Sequence, residues 1–173
     1  MRFAVRPADI DETPLPGEAP ANYVRRLSIE KTDASIKSPL ASQAEVVLAA
    51  DTTVDVDGEI LEKPLDADDA YRMLRTLSGR SHLVHTGVTV SVPITGARRS
   101  ITIVVTTEVT FADLEDAAID WYLETGEAMD KAGAYGIQGA AGAFVEKING
   151  SVTNVIGLPL AETLRLLHDS TSA

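Results

Sequence analysis

Two periods of apolar residues run through the chain, and between them they lay out its elements. Val24, Leu27, Ser28 and Lys31 follow i, i+3, i+4, i+7 spacing, the pattern of one helix face, and the turn-forming stretch ETPLPGEAP at 12 to 20 leads into it. Lys31 shares its stripe with two apolar residues, so its side chain points inward or along a cleft edge. Val46 to Ala50 has no helical period and reads as a buried strand that stops at Asp51-Thr52-Thr53. That places Asp51 at the strand's C-terminal end, where open α/β sheets form ligand crevices.

Asp57-Gly58, between alternating residues, predicts a hairpin turn, closed by Lys63-Pro64. Ala70, Met73, Leu74 and Leu77 then mark a helix stopped by Ser78-Gly79. Two strands follow, one with Val84, Thr86, Val88, Val90 and Val92 on a face, the other with Ile101, Ile103, Val105, Thr107, Val109 and Phe111. They pair through the turn-rich connection from Pro93 to Arg99. A helix around Ala118, Trp121 and Tyr122, a short strand AFVEKI and a helix opened by Pro159, with Leu160, Thr163, Leu164 and Leu167 on one stripe, complete the chain. Helices alternating with strands, plus one antiparallel pair, imply an α/β fold with a mixed sheet.

Composition narrows the function. With 173 residues and no sign of a repeat or linker, one domain is expected. The absence of cysteine removes disulfides and thiolate chemistry, and with no apolar run near the roughly 20 residues of a membrane span, a cytoplasmic protein is expected. The net charge of -11 is the wrong sign for a nucleic-acid partner but leaves room for a small anionic substrate.

Asp51 is the strongest chemical candidate, because a carboxylate at the end of an apolar strand needs a metal, a hydrogen-bond network or solvent to compensate it. An N-cap or turn aspartate explains the position equally well. Lone lysines such as Lys63 are ordinarily solvated. In DKAGAYGIQGAAGAF, at 130 to 144, four glycines could let backbone amides approach a ligand, but Lys131 precedes them and no phosphate-loop formula fits. Gln138 in that loop offers both a donor and an acceptor. His82, His85 and His168 lack zinc-site spacing, and His85 faces away from the valine stripe.

Taken in order, DIDE (9 to 12), YVRRLSIEK (23 to 31), AADTTV with GEILEKP, LSGRSHLVHTGV (77 to 88), DKAGAYGIQG (130 to 139) and INGSVTNVIGLPLAET (148 to 163) resemble the Maf family over nearly the whole chain. The resemblance implies a Maf and inosine-triphosphatase-like α/β fold, an elongated mixed sheet flanked by helices, and hydrolysis of nucleoside triphosphates to monophosphate and pyrophosphate. It implies Asp51 as catalytic acid-base residue and metal neighbour, and Glu12 as a second carboxylate at a divalent cation, Mg²⁺ or Mn²⁺. Lys31 and Lys63 become triphosphate contacts, and Thr52 and Gln138 residues of base choice. The spelling AYGIQG is similar to the dTTP- and UTP-hydrolysing branch. Family members open with a strand, a Ser-x-Ser-x-Arg-Arg turn and a helix that these residues do not contain, so the fold is expected to lack its first strand and helix and the natural protein to start upstream. The unpaired sheet neighbour favours a homodimer. The competing expectation is a truncated nucleotide-binding or regulatory protein with little turnover.

Overall fold

The computed structural model describes residues 3–38 and 46–171. The elements are α1 (Pro20–Lys37), β1 (Val47–Val56), β2 (Glu59–Leu61), α2 (Ala67–Leu77), β3 (Ser81–Ile94), β4 (Ala97–Phe111), α3 (Asp116–Glu124), β5 (Val145–Asn149), α4 (Val152–Ile156) and α5 (Leu160–Thr171). The strands form one sheet in the order β2-β1-β3-β4-β5.

The α/β class is as expected, but every strand pair among the described residues is antiparallel, so the sheet is not mixed. The crossover through α2 does return the chain in the direction of β2. However, β3 docks on the far side of β1, so the two like-directed strands never share hydrogen bonds.

β1 also departs from expectation, since it does not stop at Asp51 but runs on to Val56. Its second half alternates: Asp51, Thr53 and Asp55 lie on one face, Thr52, Val54 and Val56 on the other. The polar residues that looked like a strand end are one face of a continuing strand. Asp57 and Gly58, both at positive φ, then form the predicted two-residue turn into β2. The β3–β4 hairpin likewise extends into the turn-rich connection from Pro93 to Arg99, with Ile94 opposite Ala97.

α1 crosses the face that carries Asp51, His85 and Gly87. It comes so close that a Cβ on Gly87 would lie 2.2 Å from the Val24 carbonyl oxygen and 3.0 Å from the Arg25 nitrogen. Ser28 and Thr89 share a buried hydroxyl contact of 2.9 Å beside it. The opposite face packs Val54, Val84, Val109 and Phe111 against α2 and α3, and Val88, Val90 and Val92 against Leu166 of α5. On α5 the buried stripe is Thr163, Leu166 and Ser170, while Leu160 and Leu164 are exposed, which shifts the face expected from the leucine spacing. Among the described residues no helix is long and apolar enough to cross a membrane.

Candidate active site

β2 pairs only with Val54, Asp55 and Val56, so among the described residues the preceding part of β1 has no strand neighbour on that side. A cleft of about 450 Å³ opens along this edge. Glu12, Lys31, Asp51, Thr52 and Lys63 all line it; Gln138 does not, standing exposed on its loop.

Lys31 is the hub. Its Nζ lies 2.6 Å from Asp51 Oδ1 and 2.8 Å from Glu12 Oε1. α1 supplies Lys31 from the stripe that buries Val24 and Leu27. Glu12 arrives on the extended segment before α1, which is held by Ile10 packing near Tyr23, Val24 and Leu27 and by Arg26 bonding to Glu18 and the Thr13 carbonyl.

Burial pushes the Asp51 carboxyl above the usual aspartate range, against the pull of the Lys31 ammonium. Burial depresses Lys31, but its hydrogen bonds to Asp51 and Glu12 outweigh that and hold its pKa above the ordinary value. Asp51 Oδ2 is buried without a hydrogen-bond partner, an orphaned acceptor on a residue that lines the cleft. Two carboxylates converging on one point, one with a spare oxygen, suit a hard divalent cation that also takes oxygens from substrate and water. No group of three or more His, Cys, Asp or Glu side chains able to hold a metal occurs among the described residues.

Thr52, next in sequence, points to the other side of β1. Its hydroxyl lies 2.8 Å from that of Thr86, which donates to the Asn154 carbonyl. Asn154 is fixed in turn by Val84 and Thr107. The Thr52 hydroxyl also lies 3.4 Å from the Gly157 carbonyl, and whether its one proton goes to Gly157 or to Thr86, its oxygen keeps a lone pair for the cleft.

Val54, Val84, Tyr135 and Val155 give the cleft an apolar end. Sequence spacing did not single out Tyr23, Glu62, Lys131 or Tyr135 as cleft residues. Tyr23 was within reach, because it precedes Lys31 by eight residues on the same helix stripe. The glycine loop is also tighter than its composition implies. Gly133 presses on Val54, where a Cβ would lie 2.9 Å from Cγ2, and a Cβ on Gly139 would meet Glu127 at 1.9 Å. These glycines serve close packing against protein.

Comparison with known families matches residues 1–170 to the Maf-like protein family. The chain belongs to the Maf family. It is 57% identical over 168 residues to a dTTP/UTP pyrophosphatase of Anaeromyxobacter dehalogenans (strain 2CP-C), covering 97% of this chain and 83% of that protein. Proteins of the same description from Myxococcus xanthus and Shewanella oneidensis are 49% and 48% identical, covering 97% and 94% of this chain and 82% and 81% of theirs. In this Maf-family chain the segment DKAGAYG carries Tyr135, whose hydroxyl lies 2.8 Å from His82 Nε2 in the core.

Burial lowers the His82 pKa to about 4 from an ordinary 6.5, so the ring is neutral at pH 7. As pH falls between those values the unfolded chain takes up a proton that the folded chain resists, so stability is lost through that window. Thermal melts from pH 7 to pH 4 should show this loss, and His82→Gln should flatten the slope.

Proposed function

We propose that this chain hydrolyses dTTP and UTP to the monophosphate and pyrophosphate in the cleft beside β1. The carrying observation is the buried, unpartnered oxygen of Asp51 beside the Lys31 ammonium. Once a phosphate draws Lys31 away and opens the cleft to it, the Asp51 carboxylate can accept a proton from the attacking water as the water oxygen bonds to phosphorus and the α–β phosphoanhydride bond breaks. Lys31 and Lys63 neutralise phosphate oxygens. Glu12 and Asp51 would hold a divalent cation, Mg²⁺ or Mn²⁺, which when bound supplies further positive charge to the phosphates.

The apolar end suits a flat base, and the Thr52 lone pair suits the imino N–H that uracil and thymine share. The relatives named dTTP/UTP pyrophosphatase support the same substrates. Gln138 belongs to this reading only if its loop brings it to the base. Convergence of Asp51, Lys31, Lys63 and Glu12 on one cleft favours turnover over a purely regulatory role.

The deciding measurement is pyrophosphate release from dTTP, UTP, dATP and dGTP with Mg²⁺ or Mn²⁺. Preference for the two pyrimidines is expected. Equal turnover of purines would remove the base assignment, and no pyrophosphate from any nucleotide would remove the enzymatic one.

A further inference from the structure

We propose that Lys131 is a phosphate-binding lysine of the cleft, held by Asp130 in the free protein and transferred to the nucleotide's phosphate chain on binding. The inference rests on the pyrophosphatase reading and adds a residue to it. Lys131 and Asp130 line the same cleft as Lys31 and Lys63. Four carboxylates (Glu12, Asp51, Glu62 and Asp130) face three lysines there, so each ammonium group matters to a polyanion.

The lysines are not equally available. Lys31 is 17% exposed and already engaged by two carboxylates. Lys131 has its sequence neighbour as ion-pair partner at 2.5 Å, with side chains 44% and 76% exposed. An exposed pair of that kind is weak, because water screens both charges, so a phosphate can displace the carboxylate. The hydrogen bond from Lys131 holds the Asp130 carboxyl below the usual aspartate range.

The backbone under Lys131 is fixed. Gly133 N–H donates to the Glu62 carbonyl at 3.1 Å, and Ala134 N–H donates to the Lys131 carbonyl at 3.1 Å. Gly133 and Ala134 are both left-handed, and Ala134 holds that conformation without being glycine, fully buried. The lysine stem runs across Gly136, where a Cβ would stand 3.3 Å from Lys131 Cε. A stem already ordered by packing loses less freedom on binding than a free surface lysine.

The test compares wild type with Lys131→Met, Lys131→Arg and Asp130→Asn in the full chain, with Mg²⁺. For Lys131→Met the KM for dTTP should rise about tenfold and inhibition by pyrophosphate should weaken about tenfold, with inhibition by thymidine unchanged. Lys131→Arg should recover most of the loss, and Asp130→Asn should tighten pyrophosphate. Unchanged KM and pyrophosphate inhibition in Lys131→Met would overturn the proposal, as would equal weakening toward thymidine, which signals a distorted loop. Calorimetric titration of pyrophosphate onto wild type and Lys131→Met reads the same difference without turnover. An inactive wild type that still binds pyrophosphate through Lys131 therefore counts against the pyrophosphatase reading alone, and a wild type that binds none refutes Lys131.

Discussion

Replacing Asp51 by asparagine is expected to lower pyrophosphate release by a factor of about 10² to 10⁴, the range set by loss of a positioned proton acceptor. The protein should remain folded and should melt at a higher temperature at neutral pH. Both effects come from the same burial. Asp51 is 9% exposed and its carboxyl sits above the usual range, so ionising it costs the folded state more than the unfolded one.

The sign follows directly. With a raised folded pKa, the native chain retains a proton that the unfolded chain has released, and stability falls as pH rises through that interval. Asparagine does not ionise. The melting advantage of Asp51→Asn over wild type should therefore be present at pH 7 and vanish as pH falls below the ordinary aspartate range. Melting curves of the two proteins across pH 3 to 8, beside a pyrophosphate assay, check both halves. An inactive variant that melts lower at neutral pH would show that Lys31 depends on Asp51 for its place in the fold more than burial penalises the carboxylate.

The second large effect is expected at Gly87. Its neighbours in the sheet are Asp51 on β1 and Val104 on β4, and α1 lies directly over it. An alanine methyl would meet the main chain at Val24 and Arg25, which cannot rotate away as a side-chain tip could. Either the helix lifts or the sheet bends. Overpacking of this kind costs about 3 kcal/mol, on the order of 10 °C in melting temperature for a chain this long. Lys31 rides on the same helix, two turns on, so activity should fall further than stability alone explains at temperatures where Gly87→Ala is still folded. A normal KM and kcat in Gly87→Ala would mean that α1 can shift without moving Lys31.

Periodicity made the local elements legible where each depends on its own residues. The stripe Val24, Leu27, Ser28, Lys31 marked α1 and the inward turn of its lysine, and Asp57-Gly58 marked the hairpin. Strand order was not legible, because the position of β1 between β2 and β3 is set by pairing between distant residues. The cost of a carboxylate in an apolar strand makes Asp51 legible, but the alternation beyond it resembles loop composition and hides the strand's continuation to Val56. Its convergence with Glu12 on Lys31 joins three segments that no spacing relates. On α5, Leu160 and Leu164 matched a helical stripe as well as Leu166 did, and only the neighbouring sheet determines which leucine is covered.

The alternation of β1 also bears on how this cleft can change over time. Asp51 and Thr52 are consecutive, yet a strand sends them to opposite faces, one toward Lys31 and the other toward Thr86 and α4. In the proposed reaction, bond breaking and base choice would thus be separated by the thickness of a single backbone. On that reading, substitutions around Thr52, Thr86 and Asn154 would retune which nucleotide is accepted while the Asp51–Lys31–Glu12 cluster keeps its geometry, so one scaffold could diversify its diet without relearning its chemistry.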